Sequence, residues 1–468
     1  MMMDIDVHHF CARIPFIFLL VITNPPCGIT PHGRNKEFVV SRDFSQRAVM
    51  ASCAAALLAV SGSVVAQTEV WTLDATAQQV LEVAPALRAA ESEVLIRQGG
   101  RRQSGLWLNP TIELGASNAM SKEDGQGGTD LNEITIRQAL PLSGRLAQQR
   151  READANIEQA HSGVAEQRLT LEYEAARVFH GLQLNRALLK LAQQRLESAD
   201  EFQHIGRRRE QAGDLSRLER LRLDLVRENA SQLIAAAEGK ESEALSDFRT
   251  LLNLTDAEPT VSALEQIPVL PALVALEPQL EQHPALMAAR QRVEAARSGV
   301  EVARAKRFAD PEVWLTRGRD YLNSQRQNVT AFGVSLTIPL WDSNGGYIDA
   351  ARASREKAQF ELEALQRQLG NRLRLNHLHL GHLIEQAQEY RTKVLEPAEQ
   401  IFQLSRTGFA AGEVEILALV DAVNSHFEAR TRYLELLQQS WLEAAELRRS
   451  AGLALRAANT PITEGTPQ

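Results

Sequence analysis

Three histidines within six residues, His377, His379 and His382, are the first place to look for metal chemistry in this chain. On a helix, offsets of two and five residues do not converge on one face, and only His379 and His382 share a side. No metal site is expected from them. Soft-donor relays for copper or silver need methionine or cysteine, and beyond residue 66 only Met120 and Met287 remain. All three cysteines, Cys11, Cys27 and Cys53, lie upstream of that point. No nucleophile, base and orienting residue occur at recognisable spacing, and no phosphate-binding loop is present, so neither an enzyme nor a cofactor is expected.

The chemistry-bearing residues therefore have to be judged by the elements that hold them, and those elements occur twice. Ala84-Pro85-Ala86-Leu87 returns as His283-Pro284-Ala285-Leu286, and Leu140-Pro141-Leu142 as Ile338-Pro339-Leu340. Gln211-Ala212-Gly213-Asp214-Leu215 returns as Ala410-Ala411-Gly412-Glu413-Val414. Between these anchors, Leu171, Ala175, Val178, Leu182, Asn185, Leu189, Ala192 and Leu196 follow steps of four and three. Adding 198 to each gives Leu369, Leu373, Asn376, Leu380, Leu383, Ala387, Tyr390 and Val394, and six of the eight are apolar in both copies. The chain reads as one unit and its copy.

The first 66 residues fall outside the repeat. Arg42 and Arg47 precede an apolar run from Ala48 to Val65, and Val64-Val65-Ala66 places small residues where a secretory cleavage site needs them, so the mature chain is expected to begin at Gln67. Residues 1 to about 40 read as sequence upstream of the true start, with an unusual genuine leader as the alternative. Neither Cys27 nor Cys53 is placed as a lipid-attachment cysteine should be. The whole chain has a formal net charge of -8, and removing the leader's five Lys/Arg and four Asp/Glu leaves -9, which argues against nucleic acid as a partner. Past Gln67 no apolar stretch reaches the roughly 18 residues of a membrane-spanning helix.

Each unit opens with a helical segment of about 30 residues, Ala77–Leu108 and Pro278–Phe308, halted where Asn109-Pro110 and Asp310-Pro311 push the chain out of helical geometry. Short strands follow at Thr111–Ser117, Asn132–Gln138, Glu312–Arg317 and Thr330–Thr337, joined by polar loops. Ile112, Leu114 and Ala116 alternate with polar or small residues, as do Phe332, Val334, Leu336 and Ile338. That pattern fits a sheet lying on a soluble core, or outer membrane strands of about 8 to 10 residues. Four strands cannot close a barrel, since the smallest have about eight. A membrane reading needs several chains; three would supply twelve strands.

The rest is helical. Gly144–Gln211 is about 68 residues, roughly 100 Å as one helix, and its stripe repeats every 3.5 residues as in a coiled coil. A turn at Gly213 sends the chain back through Leu215–Leu252. Gly345–Ala411 and Val414–Leu455 repeat the hairpin. Each returning arm is shorter than its partner by about the length of the opening helix, which would stack end to end with it. The expected division is a leader at 1–66, with a signal peptide over about 40–66, a first unit at 67–254, a proline-rich linker at 255–277, a second unit at 278–456 and a disordered tail at 457–468.

On the duplicated strand-strand-long-hairpin unit, the Pro141 and Pro339 junctions where strand gives way to helix, and the Gly213 and Gly412 turns, the chain resembles the TolC-like outer membrane efflux protein family across nearly all of 72–455. The resemblance implies a mainly α fold with a small β part. Three chains would form a twelve-stranded outer membrane barrel continuing into an α-helical periplasmic tunnel, with a periplasmic adaptor, an inner membrane RND pump and outer membrane lipid as partners. Gln138–Arg145, Ile338–Gly346 and Gly213–Glu219 are most similar to the branch that works with heavy-metal cation pumps, although Pro141, Ser143 and Arg145 depart from that branch's usual wording.

The same resemblance makes the hairpin tips the adaptor contacts: Gly213, Asp214 and Leu215 in one, Gly412, Glu413, Val414 and Ile416 in the other. Leu417 would add apolar surface. Asp421 matches the aspartate that lines the family's tunnel entrance, where three copies would form an acidic ring, and Arg222 at the equivalent place in the first unit would help hold it shut. A drug-efflux or type I secretion conduit and, in a different class, a coiled-coil structural or adaptor protein stay open. An adaptor would carry one hairpin flanked by β domains, whereas this chain has two hairpins and little other β sequence.

Overall fold

The computed structural model describes residues 70–116, 133–255, 259–322 and 325–455, with backbone only for 320–326. The leader, the cleavage site before Gln67, the cysteines, the first polar inter-strand loop and the tail lie outside these residues. The opening helix of the first unit is two helices rather than one, α1 (Leu73–Val83) and α2 (Pro85–Ser104). Ala84 between them is extended, with ψ of 118°, because the ring of Pro85 bars it from helical geometry. The second unit uses the same device later: a 3-10 turn over Glu277–Gln282 leads to His283-Pro284, and α6 runs Pro284–Ala305.

The first long helix, α3 (Arg145–Ala212), is unbroken for 68 residues, and α4 (Arg217–Leu252) returns alongside it. In the second unit the expected continuous helix is interrupted. Helix α7 (Gly345–Tyr390) passes through a π-helical turn at Arg391–Leu395 into α8 (Glu396–Ala411), before α9 (Ile416–Ser450) returns. Pro397 supplies the reason, since its ring collides with the carbonyl four residues back and a wider turn relieves the clash. Half of the apolar stripe is fully buried in each copy: Leu171, Ala175, Val178 and Leu182, then Leu369, Leu373, Leu380 and Ala387.

The segment between the units is strapped to the helices rather than free. A two-residue strand, β4 (Thr260–Val261), pairs in parallel with β1 (Val70–Trp71), and a single turn, α5 (Leu273–Leu276), precedes the 3-10 turn. Gln183 Nε2 donates to Ser262 O at 2.7 Å, Trp441 Nε1 to Gln266 O at 2.7 Å, and His377 Nε2 lies 2.9 Å from Pro271 O.

Strands β2 (Thr111–Gly115), β3 (Glu133–Ala139), β5 (Glu312–Leu322) and β6 (Gln325–Ser335) form one antiparallel sheet in the order β2-β3-β5-β6. The second pair corrects the sequence reading: most of the polar stretch taken as a loop is strand, with Arg319 opposite Asn328. Polar side chains masked the alternation there. Ile112, Ile136, Leu315 and Phe332 are successive cross-strand partners and make one apolar row. That row rests on no core: Ile112 is 64% exposed and Phe332 86%. Among the described residues nothing covers the apolar face of the sheet, which the soluble-sheet alternative would require. Among the described residues no helix is long and apolar enough to cross a membrane.

Candidate functional site: the hairpin tips and strand-helix junctions

The two tips share one backbone solution. Gly213 sits at φ 85° and Gly412 at φ 82°, left-handed values that a side chain resists. Past each glycine the chain reaches back to the helix it has left. Asp214 N donates to Arg209 O at 2.8 Å and Gly213 N to Glu210 O at 3.0 Å; Glu413 N donates to Gly408 O at 2.8 Å and Gly412 N to Phe409 O at 3.1 Å. These paired bonds satisfy carbonyls that a helix end leaves open. Restarting the chain is handled differently. Ser216 caps α4 with a reciprocal box to Glu219, and its hydroxyl and amide hold the Glu219 carboxyl below its ordinary pKa. Glu415 gives α9 no side-chain cap.

The tips are not separate. Leu191, Phe202, Ile205 and Leu215 from the first hairpin join Phe402, Phe409, Ile416, Leu419, Val423 and Phe427 from the second in one apolar cluster. Phe202 meets Phe402 and Phe409 edge to face, at 6.4 and 6.3 Å. Around this core run polar ties from α3: Arg209 donates to Phe409 O at 3.1 Å, Arg195 to Asn424 Oδ1 at 2.6 Å, and Arg406 of α8 pairs with Glu201 at 2.8 Å. Sequence reading missed these residues. Phe402 and Phe409, seven residues apart in a chain only 5% aromatic, were the signal available.

Placement of the expected contact residues corrects part of that reading. Leu215 and Ile416 are 8% and 2% exposed and belong to the core, not to a free surface. Exposed apolar side chains near the tips are Leu417, Leu218, Leu221 and Leu225 instead. Asp214 and Glu413 are exposed and Val414 half-buried. Asp421 and Arg222 are both exposed, and among the described residues no ion pair joins them. Arg222 lines a groove of about 200 Å³ between α4 and α9 with Arg195, Leu417, Val420 and Asn424.

At the opposite end, Pro141 and Pro339 are flanked by matching tight turns: Leu142 N donates to Leu140 O at 2.8 Å and Leu340 N to Ile338 O at 2.9 Å. Left-handed Gly144 and Asn344 then start the long helices. The two units are clamped together there. Arg145 pairs with Asp310 at 2.6 Å, and both side chains are largely buried. Within the second unit, Asn344 Nδ2 donates to Ala303 O at 2.6 Å. Of the three clustered histidines, His377 holds the linker, while His379 and His382 are exposed. Among the described residues no group of three or more His, Cys, Asp or Glu is assembled to hold a metal.

Comparison with known proteins agrees with this geometry. The chain is 26% identical over 370 residues to the cobalt-zinc-cadmium resistance protein CzcC of Cupriavidus metallidurans, covering 78% of this chain and 86% of that protein. It is 25% identical over 311 residues to the nickel-cobalt-cadmium resistance protein NccC of Alcaligenes xylosoxydans xylosoxydans, covering 66% and 70%. Its fold superposes on a CusC structure with a TM-score of 0.67 at 19% identity, covering 81% of this chain and 92% of that one. Against the outer membrane protein VceC of Vibrio cholerae the TM-score is 0.67 at 16% identity, covering 82% and 97%. The model of outer membrane efflux proteins matches residues 76–254 and again 275–453, so the chain belongs to the outer membrane efflux protein family.

Proposed function

We propose that the chain is the outer membrane channel of a tripartite efflux system, a homotrimer that passes divalent metal cations from the pump or periplasm to the exterior. The observation that carries this reading is the sheet, with its uncovered apolar row and two unpaired edges, β2 and β6. In lipid each unmet backbone group costs several kcal/mol, so those edges must meet other strands. Three antiparallel pairings leave β2 and β6 running in opposite directions, so β6 of one copy can continue onto β2 of the next in the same alternation. Such a head-to-tail contact closes into a ring, and three copies give twelve strands.

The helices support the same closure. Near the tips the packing order is α4, α3, α9, α8, which leaves α4 and α8 at the edges. Both edges carry unpartnered apolar residues, Leu218, Leu221 and Leu225 on α4 and Ile401 and Leu404 on α8. Light scattering of detergent-extracted protein should give the mass of three chains; a monodisperse folded monomer overturns the shared barrel.

Cargo and partners rest on the names of the relatives, two of which are metal-resistance proteins. An RND pump and a periplasmic adaptor would complete the path, with the adaptor at the Gly213 and Gly412 tips, where Leu218 and Leu417 offer exposed apolar contact. Three Asp421 side chains at one level would concentrate cations, because low-dielectric walls focus the field, and Arg222 would face the ring from a neighbouring copy. Deleting the gene should sensitise cells to cobalt, zinc and cadmium while leaving antibiotic tolerance and polypeptide secretion intact. Drug sensitivity or a retained secreted protein would instead identify a drug-efflux or type I secretion conduit. Asp421→Ala should lower cation selectivity in planar bilayers, and parent-level selectivity would remove the ring.

A further inference from the structure

Shifting one hairpin by 199 residues onto the other carries Gly213 to Gly412, Asp200 to Glu399 and Arg227 to His426. Both resulting pairs join the two arms of their hairpin. Arg227 Nε meets Asp200 Oδ1 at 2.9 Å, with both side chains partly in solvent. His426 Nδ1 lies 3.1 Å from Glu399 Oε2. The register is the same, but a guanidinium stays charged at every physiological pH, whereas an imidazole does not.

The surroundings differ as well. His426 is 3% exposed, its ring flat on Phe402 of α8 at 4.5 Å and 8°, with Phe427 edge-on at 4.9 Å. Its Nδ1 is buried and has no hydrogen bond of proper geometry, although the Glu399 carboxylate is beside it. Charged groups reach it from two helices, Glu399 from α8 and Arg430 one turn on in α9, while Arg195 of α3 lies over the neighbouring Phe427 ring at 5.7 Å. Burial on an aromatic ring, one nearby cation and a carboxylate that is itself 42% exposed make a poor home for an imidazolium.

We infer that the His426 ring, buried flat on Phe402 beside Glu399, is a proton-operated clasp which holds α8 against α9 while the imidazole is neutral and loosens the second hairpin, but not the first, on acidification. Burial lowers the His426 pKa from its ordinary 6.5, and Glu399 offsets this only in part. A folded pKa below the unfolded one means that the open hairpin takes up the proton first. The clasp is therefore at full strength above about pH 6.5 and weakens as pH falls below it, by at most about tenfold in the closed-to-open ratio per pH unit. That opening this hairpin would widen the channel mouth rests on the channel reading above; the clasp itself does not.

Hydrogen exchange of the full-length protein in detergent micelles, corrected for intrinsic rates, separates the two. Between pH 7.5 and 5.5, protection across 396–411 and 416–430 should fall up to about tenfold while 195–212 and 217–231 hold. His426→Phe, which keeps the stack on Phe402 and cannot charge, should abolish the difference between hairpins. Glu399→Gln, which removes the carboxylate that favours the imidazolium, should lower the folded pKa further, so protection of the second hairpin should fall by pH 5.5 at least as much as in the parent, and a smaller fall would overturn the clasp. Equal loss in both hairpins, tightening of the second in acid, or an unchanged response in His426→Phe would each overturn the clasp, whatever the oligomeric state and cargo prove to be.

Discussion

The two hairpins have the same turn, register and length, yet the outgoing arm of one is a single unbroken helix and that of the other is interrupted by a π turn. Helix α3 runs unbroken and packs against α2, α4, α6 and α9 along its length. The equivalent run in the second unit is interrupted by the π turn before Pro397, and α8 finds its main partners in α9 and the π turn itself. The first hairpin is clasped by a permanent ion pair and restarted by a capping box; the second has a histidine and no cap. Duplication preserved what the backbone needs to reverse direction and released the side chains that fasten the arms.

Three changes test this contrast. The largest effect should come where the hairpins are not independent. Phe409 is fully buried against Phe202, so Phe409→Ala should cost about 3–5 kcal/mol in chemical denaturation. Hydrogen exchange in the same variant should show both tips loosened, and a loss confined to the second hairpin would mean the shared core is not energetically shared. Gly213→Val and Gly412→Val come next. A Cβ at Gly213 meets nothing within 4 Å and one at Gly412 only the end of Arg209, so the cost is conformational in both, about 1–3 kcal/mol. Near-equal losses are expected, with adaptor crosslinking weakened and membrane insertion kept; unequal ones would show that the tips differ in backbone as well as in fastening.

The smallest effect concerns the caps. Ser216→Ala should lower stability by about 1 kcal/mol, and Glu415→Ser should raise it by up to a similar amount, because only the second site lacks a cap. Melting temperatures of the two variants should move in opposite directions. Movement in the same direction would remove the capping difference from the comparison.

Much of this was legible in residue order. The duplication located Gly213 and Gly412, whose left-handed φ follows from the need to end one helix and begin another within a few residues. Pro141 and Pro339 mark breaks that the ring enforces locally, whereas the breaks at Pro85 and Pro284 fell inside segments read as continuous helix. The site was less legible. Leu215 and Ile416 look like exposed turn residues and are core, because whether an apolar side chain at a turn faces out depends on a second hairpin some 200 residues away. Arg209, Arg195 and Glu201 carry no local signal at all, since a charged residue on a long helix reads as solvated until its partner helix is placed.

What the sequence determined by itself was the repeat, the helix periods, the strand alternation and the punctuation by glycine and proline, all of which are set by interactions within a few residues. Only the tertiary structure decided that the sheet's apolar row is uncovered, that the linker is strapped to the helices, that the tips share one aromatic core, and that Glu399 stands beside a buried His426. Those facts depend on which faces meet across hundreds of residues, and neither period nor propensity encodes a pairing at that distance.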